Sequence, residues 1–186
     1  AYVIGGDGKR TVDVDARYKG LPGHKVAVLV SARDELLLDH PDVSRNTGRV
    51  LAQRLAAPVP DFKIVEPDTV LKFQAGNPYW TVMPHHQILE RLEAERLVII
   101  DLVEYTTHAS GDRHVFKGLV AGRVNVAEKG SSNASHYAFS TAISSTFPEN
   151  NTVGVLNADD RTIELGMLKV FSRDVTRLFA EYQIEQ

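Results

Sequence analysis

The sequence predicts an α/β domain with a single mixed sheet of about five strands, in the order β-α-β-α-α-β-β-β-α, and a long C-terminal helix packed on it. Three observations carry this. His24 to Ser31 (HKVAVLVS) is an unbroken, largely β-branched run, which marks a strand buried on both faces. Arg96 to Glu128 passes from an apolar run into strict alternation, turns at Ser110-Gly111-Asp112, and alternates again to Val126. The chain then closes on an amphipathic stretch of helical period.

The elements follow in order. Residues 1–23 read as a flexible lead-in, punctuated by Gly5, Gly6, Gly8, Gly20 and Gly23, with an edge strand in Thr11 to Ala16, where Val12 and Val14 alternate with Asp13 and Asp15. The domain proper spans 24–186. After its first strand, a helix opens near Pro41, which suits a first helical position because proline has no amide to leave unpaired. Val43, Thr47, Val50, Leu51 and Leu55 share one face, and Pro58 and Pro60 end the helix. Phe62 to Val65 forms a short strand. Pro67 starts a short helix through Val70, Leu71 and Gln74 that stops at Gly76-Asn77, and Pro84 opens another with Ile88, Leu89 and Leu92 inward.

Beyond the hairpin, Ser131 to Ser135 is a polar loop, and Tyr137 to Phe147 alternates as a third antiparallel strand. Asn157, with Asp160 three residues on, caps the last helix. Its inner face runs from Ile163 through Met167, Phe171, Val175 and Leu178 to Tyr182, about six turns.

Composition narrows the function. The chain has 186 residues, 43% hydrophobic and 24% charged, with a net charge of −3, which is enough to bury one core without cross-links. No Lys/Arg run is present, so nucleic acid is not an expected partner. There is no cysteine, which removes disulfides, thiol nucleophiles and cysteine metal sites.

VDVDARYKGLPGHKVAVLV, NPYW (Asn77 to Trp80), RLVIIDLVEYTTH and GMLKVF…LFAEY occur in an order and spacing that resemble the TolB amino-terminal-like and curli-secretion-lipoprotein-like domains, and within them planctomycete-type envelope lipoproteins. The resemblance covers Val12 to Tyr182. Where that superfamily tends to have a glycine after the third strand's apolar run, this chain has Asp101-Leu102-Val103-Glu104, and it lacks segments suited to the membrane-inserting hairpins of the curli pore. The resemblance implies a non-enzymatic, lipid-anchored or periplasmic envelope protein that binds other envelope proteins or itself and needs no cofactor. Its lipid-bearing cysteine would lie upstream of Ala1, and that anchor would be its sole tie to the membrane.

Several residues invite a chemical role. His108 and His114 flank a tight turn, so they could face each other with Glu104 on the face of His108. Two histidines and a carboxylate can hold a divalent metal, as a binding site or a hydrolase centre. A polar hairpin tip outweighs that reading, because no third ligand has convincing spacing. His85 and His86 point about 100° apart on a helix, so one ion cannot easily take both. Asp101 interrupts a buried strand and needs a partner, with Arg123 and His40 as candidates; a structural ion pair outweighs a catalytic role. No glycine-rich phosphate loop follows Val30, and no GxSxG word occurs. A small ligand could use the crevice at the strand ends. Tyr79 and Trp80, introduced by Asn77-Pro78, form the best partner-binding pair, set against Trp80 serving as a core plug.

Overall fold

The computed structural model describes residues 3–4, 10–59, 61–131 and 136–185. The Gly5 to Gly8 linker and most of the Ser131 to Ser135 loop lie outside them. The chain opens with β1 (Val3–Ile4) and β2 (Arg10–Val14), then β3 (Lys25–Ala32), α1 (Asp34–Asp39) and α2 (Val43–Ala56). Next come β4 (Lys63–Ile64), α3 (Pro67–Gly76), a 3-10 turn at Trp80–Val82 and α4 (His85–Arg91). The last elements are β5 (Arg96–Ala109), β6 (Asp112–Glu128), β7 (Phe139–Phe147), α5 (Asp160–Thr176) and β8 (Tyr182–Glu185).

The expected mixed sheet of five strands is present, in the order β4-β3-β5-β6-β7, with β3 parallel to β4 and β5 and the β5-β6-β7 meander antiparallel. Its strand patterns translate directly into layers. One face carries Val26, Val28, Val30, Val98, Ile100 and Leu102 against α2 and α5, through Leu51, Leu55, Met167 and Phe171. The other carries Ala27, Leu29, Leu97 and Ile99 against α3, the 3-10 turn and α4, through Val70, Trp80, Ile88 and Leu89. Since side chains alternate across a strand, only a continuous apolar run can serve both cores, and that is what β3 and the start of β5 supply.

Two glycines set how closely α5 lies on the meander. A Cβ at Gly118 of β6 would stand 2.2 Å from the Met167 sulfur, and one at Gly166 of α5 would stand 2.3 Å from the Phe147 ring. Gly118 and Phe147 are also cross-strand partners, so helix and sheet interlock at one spot.

The structure departs from expectation at several places. SARDELLLDHP contains a short helix, α1, whose Leu36 and Leu37 pack on the first core. The last helix is capped by Asp159, whose carboxylate accepts the Thr162 amide at 2.8 Å, and Asn157 lies outside it. It also stops at Thr176. Leu178, Phe179 and Ala180 are buried in the turn that follows, so their apolar spacing reflects core filling and not continued helix. Tyr182 then begins β8, which pairs antiparallel with β2. A second, three-stranded sheet of order β1-β2-β8 results, joining both chain ends.

Candidate functional site

The distal half of the β5-β6 hairpin holds the residues with the most reactive appearance. The Ser110-Gly111 turn, with Gly111 at φ +81°, leaves Ala109 opposite Asp112. His108 is opposite Phe116, so one step along β5 answers four along β6, 112 to 116. That irregularity places the His108 ring 4.6 Å from Phe116 and leaves His114 exposed, its amide donating to the Asp112 carboxylate at 2.8 Å. A second shift, at Val103, puts the exposed Glu104 opposite Ala121. Glu104, His108 and His114 therefore do not converge, and the metal alternative has no assembled ligand set at the hairpin. Bulges reset the alternation on which it depended. Among the described residues no group of three or more His, Asp or Glu side chains could hold a metal ion.

His108 instead meets Thr107 and Asp160. The Thr107 hydroxyl donates to Asp160 Oδ1 at 2.5 Å and lies 3.0 Å from His108 Nδ1, and the same Nδ1 lies 3.6 Å from the same Oδ1. A hydroxyl–imidazole–carboxylate relay needs the hydroxyl and the acid on opposite ring nitrogens. Here both meet Nδ1, so the cluster fastens the hairpin to the first turn of α5, where a carboxylate also suits the helix dipole. One turn along α5, Glu164 Oε1 lies 3.1 Å from His40 Nδ1, and the His40 ring packs 4.6 Å from Tyr105. Burial raises the Tyr105 phenol above its ordinary value, and the nearby Glu164 charge adds to this.

Asp101 sits where the α3–α4 layer ends. Its partners are Ser31, which donates to Oδ1 at 2.5 Å, and the Asn125 amide, 3.2 Å from Oδ2. The expected partners are corrected. Arg123 is the cross-strand neighbour of Asp101, yet its guanidinium leans to the Ser140 hydroxyl at 3.4 Å, and His40 is engaged with Glu164. Ser140 in turn donates to Asn125 Oδ1 at 2.7 Å, completing a polar chain across β3, β5, β6 and β7. Burial raises the Tyr137 phenol, with a further push from the charge on Asp101.

A groove of about 470 Å³ opens at the start of β5, with Leu89, Ala94 and Ala127 among its apolar walls and His85, Glu90 and Glu128 among its polar ones. Among the described residues His85 Nδ1 is buried without a hydrogen-bond partner, its ring lies 4.8 Å from Tyr137, and burial holds the imidazole below its ordinary value. Beside Val30 and Gln74, the space between α2 and α3 is about 10 Å³, too little for a ligand.

Trp80 is 7% exposed and belongs to the second core, whereas Tyr79 is 80% exposed. Trp80 is thus a core residue, and of the expected pair only Tyr79 is exposed, with Val82 exposed nearby. The sequence reading missed the Thr107–Asp160 contact, which joins residues 53 positions apart. Alternation did place Ser140 and Ser144 together on the polar face of β7, where both are exposed.

No family model matches the chain, and no curated protein sequence matches it. Among solved structures, a point variant of PelC from Paraburkholderia phytofirmans, solved as a dodecamer, aligns with TM-score 0.54 at 10% identity, covering 91% of this chain and 98% of that one. A second PelC dodecamer from the same organism gives TM-score 0.51 at 11% identity, over 91% and 96%. Lipoprotein GNA1162 of Neisseria meningitidis gives TM-score 0.48 at 12% identity, over 81% and 97%. The PelC likeness is one of fold.

Proposed function

We propose that this chain is a non-enzymatic protein of the bacterial cell envelope that acts through protein–protein contacts, including contacts with its own copies. The observation that carries the reading is the likeness of fold to PelC over 91% of the chain, because that fold has been solved as a dodecamer. The sequence resemblance to envelope lipoprotein domains supports the same reading. The side chains of reactive type agree with a scaffold role: Asp101 is spent on Ser31 and Asn125, His108 on Thr107 and Asp160, and His40 on Glu164.

Fractionation of the source cells tests it, with the native mass of the extracted protein read alongside. The expected result is a membrane-associated protein whose mass exceeds that of one chain. A cytosolic protein, or one extracted as single chains, would overturn the reading.

A further inference from the structure

Among the described residues, the strand at the open side of the sheet carries none of the usual protections against pairing. Exposed edge strands usually bear lysines, prolines, bulges or a covering element, because their free amides and carbonyls are a template for another strand. β7 ends the main sheet, and among the described residues it pairs with β6 alone. Its register against β6 runs unbroken from Phe139 to Phe147. FSTAISSTF contains no charge and no proline. On the face away from α5, Ser140, Ala142, Ser144 and Thr146 are all exposed, a flat row of small side chains. The opposite edge, β4, is two residues long, with Lys63 in it.

The same nine residues read nearly alike in both directions. Folded about Ile143, an antiparallel pairing sets Phe139 opposite Phe147, Ser140 opposite Thr146, Thr141 opposite Ser145 and Ala142 opposite Ser144, with Ile143 opposite itself. Every pair joins residues of one face, so the side facing α5 continues as that side and the exposed row of small side chains continues as an exposed row. Aromatic pairs and hydroxyl pairs directly opposite each other are stabilising cross-strand combinations. At the flanks, Arg17, exposed, lies 5.7 Å over the Phe139 ring, while Glu149 already accepts two hydrogen bonds from Arg173 at 2.9 and 2.7 Å, so the match is one of the strand residues themselves.

We infer that β7 is a homophilic docking edge: two copies of this chain join through antiparallel β7 strands centred on Ile143, making one continuous ten-stranded sheet. Such an interface is isologous and closes on itself. The inference rests on the self-association part of the proposed function and names the surface that serves it, while being independent of where in the cell the protein resides.

Two paired variants of the 186-residue chain test it by sedimentation. Ala142 and Ser144 are cross-strand partners in the dimer and exposed in the single chain. A142K/S144K sets lysine opposite lysine twice and should sediment as a monomer at concentrations where the unaltered chain is dimeric. A142K/S144E sets lysine opposite glutamate twice and should remain dimeric. Circular dichroism of both variants should match that of the unaltered chain, showing the fold intact, while loss of the dimer lowers the melting temperature of A142K/S144K. An unaltered chain that is monomeric throughout the micromolar range, a dimer that survives A142K/S144K, or a monomeric A142K/S144E would each overturn the proposal. A dimer in solution together with a cytosolic location would sink the envelope reading and leave this one standing.

Discussion

The two halves of β5 belong to the same strand yet obey different rules. Leu97 to Ile100 are at most 5% exposed, with α2 and α5 on one side and the α3–α4 layer on the other. Beyond Asp101 the second layer ends, Val103 is 39% exposed, and the register to β6 shifts three times before the tip. Two-sided burial tolerates neither a polar residue nor a slip, since either would spoil a core. One-sided burial leaves room for bulges, serines and an uncovered face. Asp101 marks the change, because a carboxylate is tolerated where Ser31 and Asn125 can reach it at the margin of the second core.

The sharpest way to break this contrast is to truncate one residue in each half. Ile100→Ala should cost roughly 2–5 kcal/mol of unfolding free energy, whereas Ser144→Ala should stay within about 0.5 kcal/mol, both read by denaturant titration. Equal effects would deny that the halves differ. Asp101→Ala should cost about 1–3 kcal/mol, because the Asn125 amide and Ser31 hydroxyl lose their acceptor. A neutral outcome would show that water replaces the carboxylate at the margin. Thr107→Val keeps the shape and removes the hydroxyl that holds Asp160, for an expected loss of about 0.5–1.5 kcal/mol. Hydrogen exchange should show that loss concentrated at the hairpin tip and the start of α5.

The smallest expected effect is on pH dependence. Burial depresses the imidazole of His85, so the folded chain holds fewer protons there than the unfolded one. Stability is then unaffected above the ordinary value of 6.5 and falls as pH drops below it. His85→Phe, which keeps a ring against Tyr137, should flatten that part of the profile. At lower pH, Glu149 and Asp68 are held below the ordinary carboxylate value, first by hydrogen bonds from Arg173 and Arg49. Their contribution is present above the unfolded carboxylate range and disappears as pH falls through their lowered folded values, so the decline there should persist in the variant.

The sheet was legible because its strands declare their coverage: KVAVLVSA and RLVII could only be two-sided, and the β7 alternation only one-sided. The fate of the acids and histidines was not. His114 fails to face His108 because three extra residues of β6 fill the tip, and hairpin bulges leave no trace in polarity. The end of α5 was misread because Leu178, Phe179 and Tyr182 keep helical spacing for a different reason, which is a turn packed into the core. Gly118 and Gly166 showed only as glycines; that each makes room for a side chain of a distant element is a property of the assembled layers.

The small sheet has a consequence for how the chain opens. Thr11 of β2 faces Glu185 of β8, and Gln183 donates to Asp13 at 2.9 Å. These two residues lie 170 positions apart, so the pairing closes a very long loop around both cores. Each strand is the other's support: without β8, β2 keeps only β1 as a neighbour among the described residues. The two should therefore open to solvent as one unit, with their amide hydrogens exchanging together.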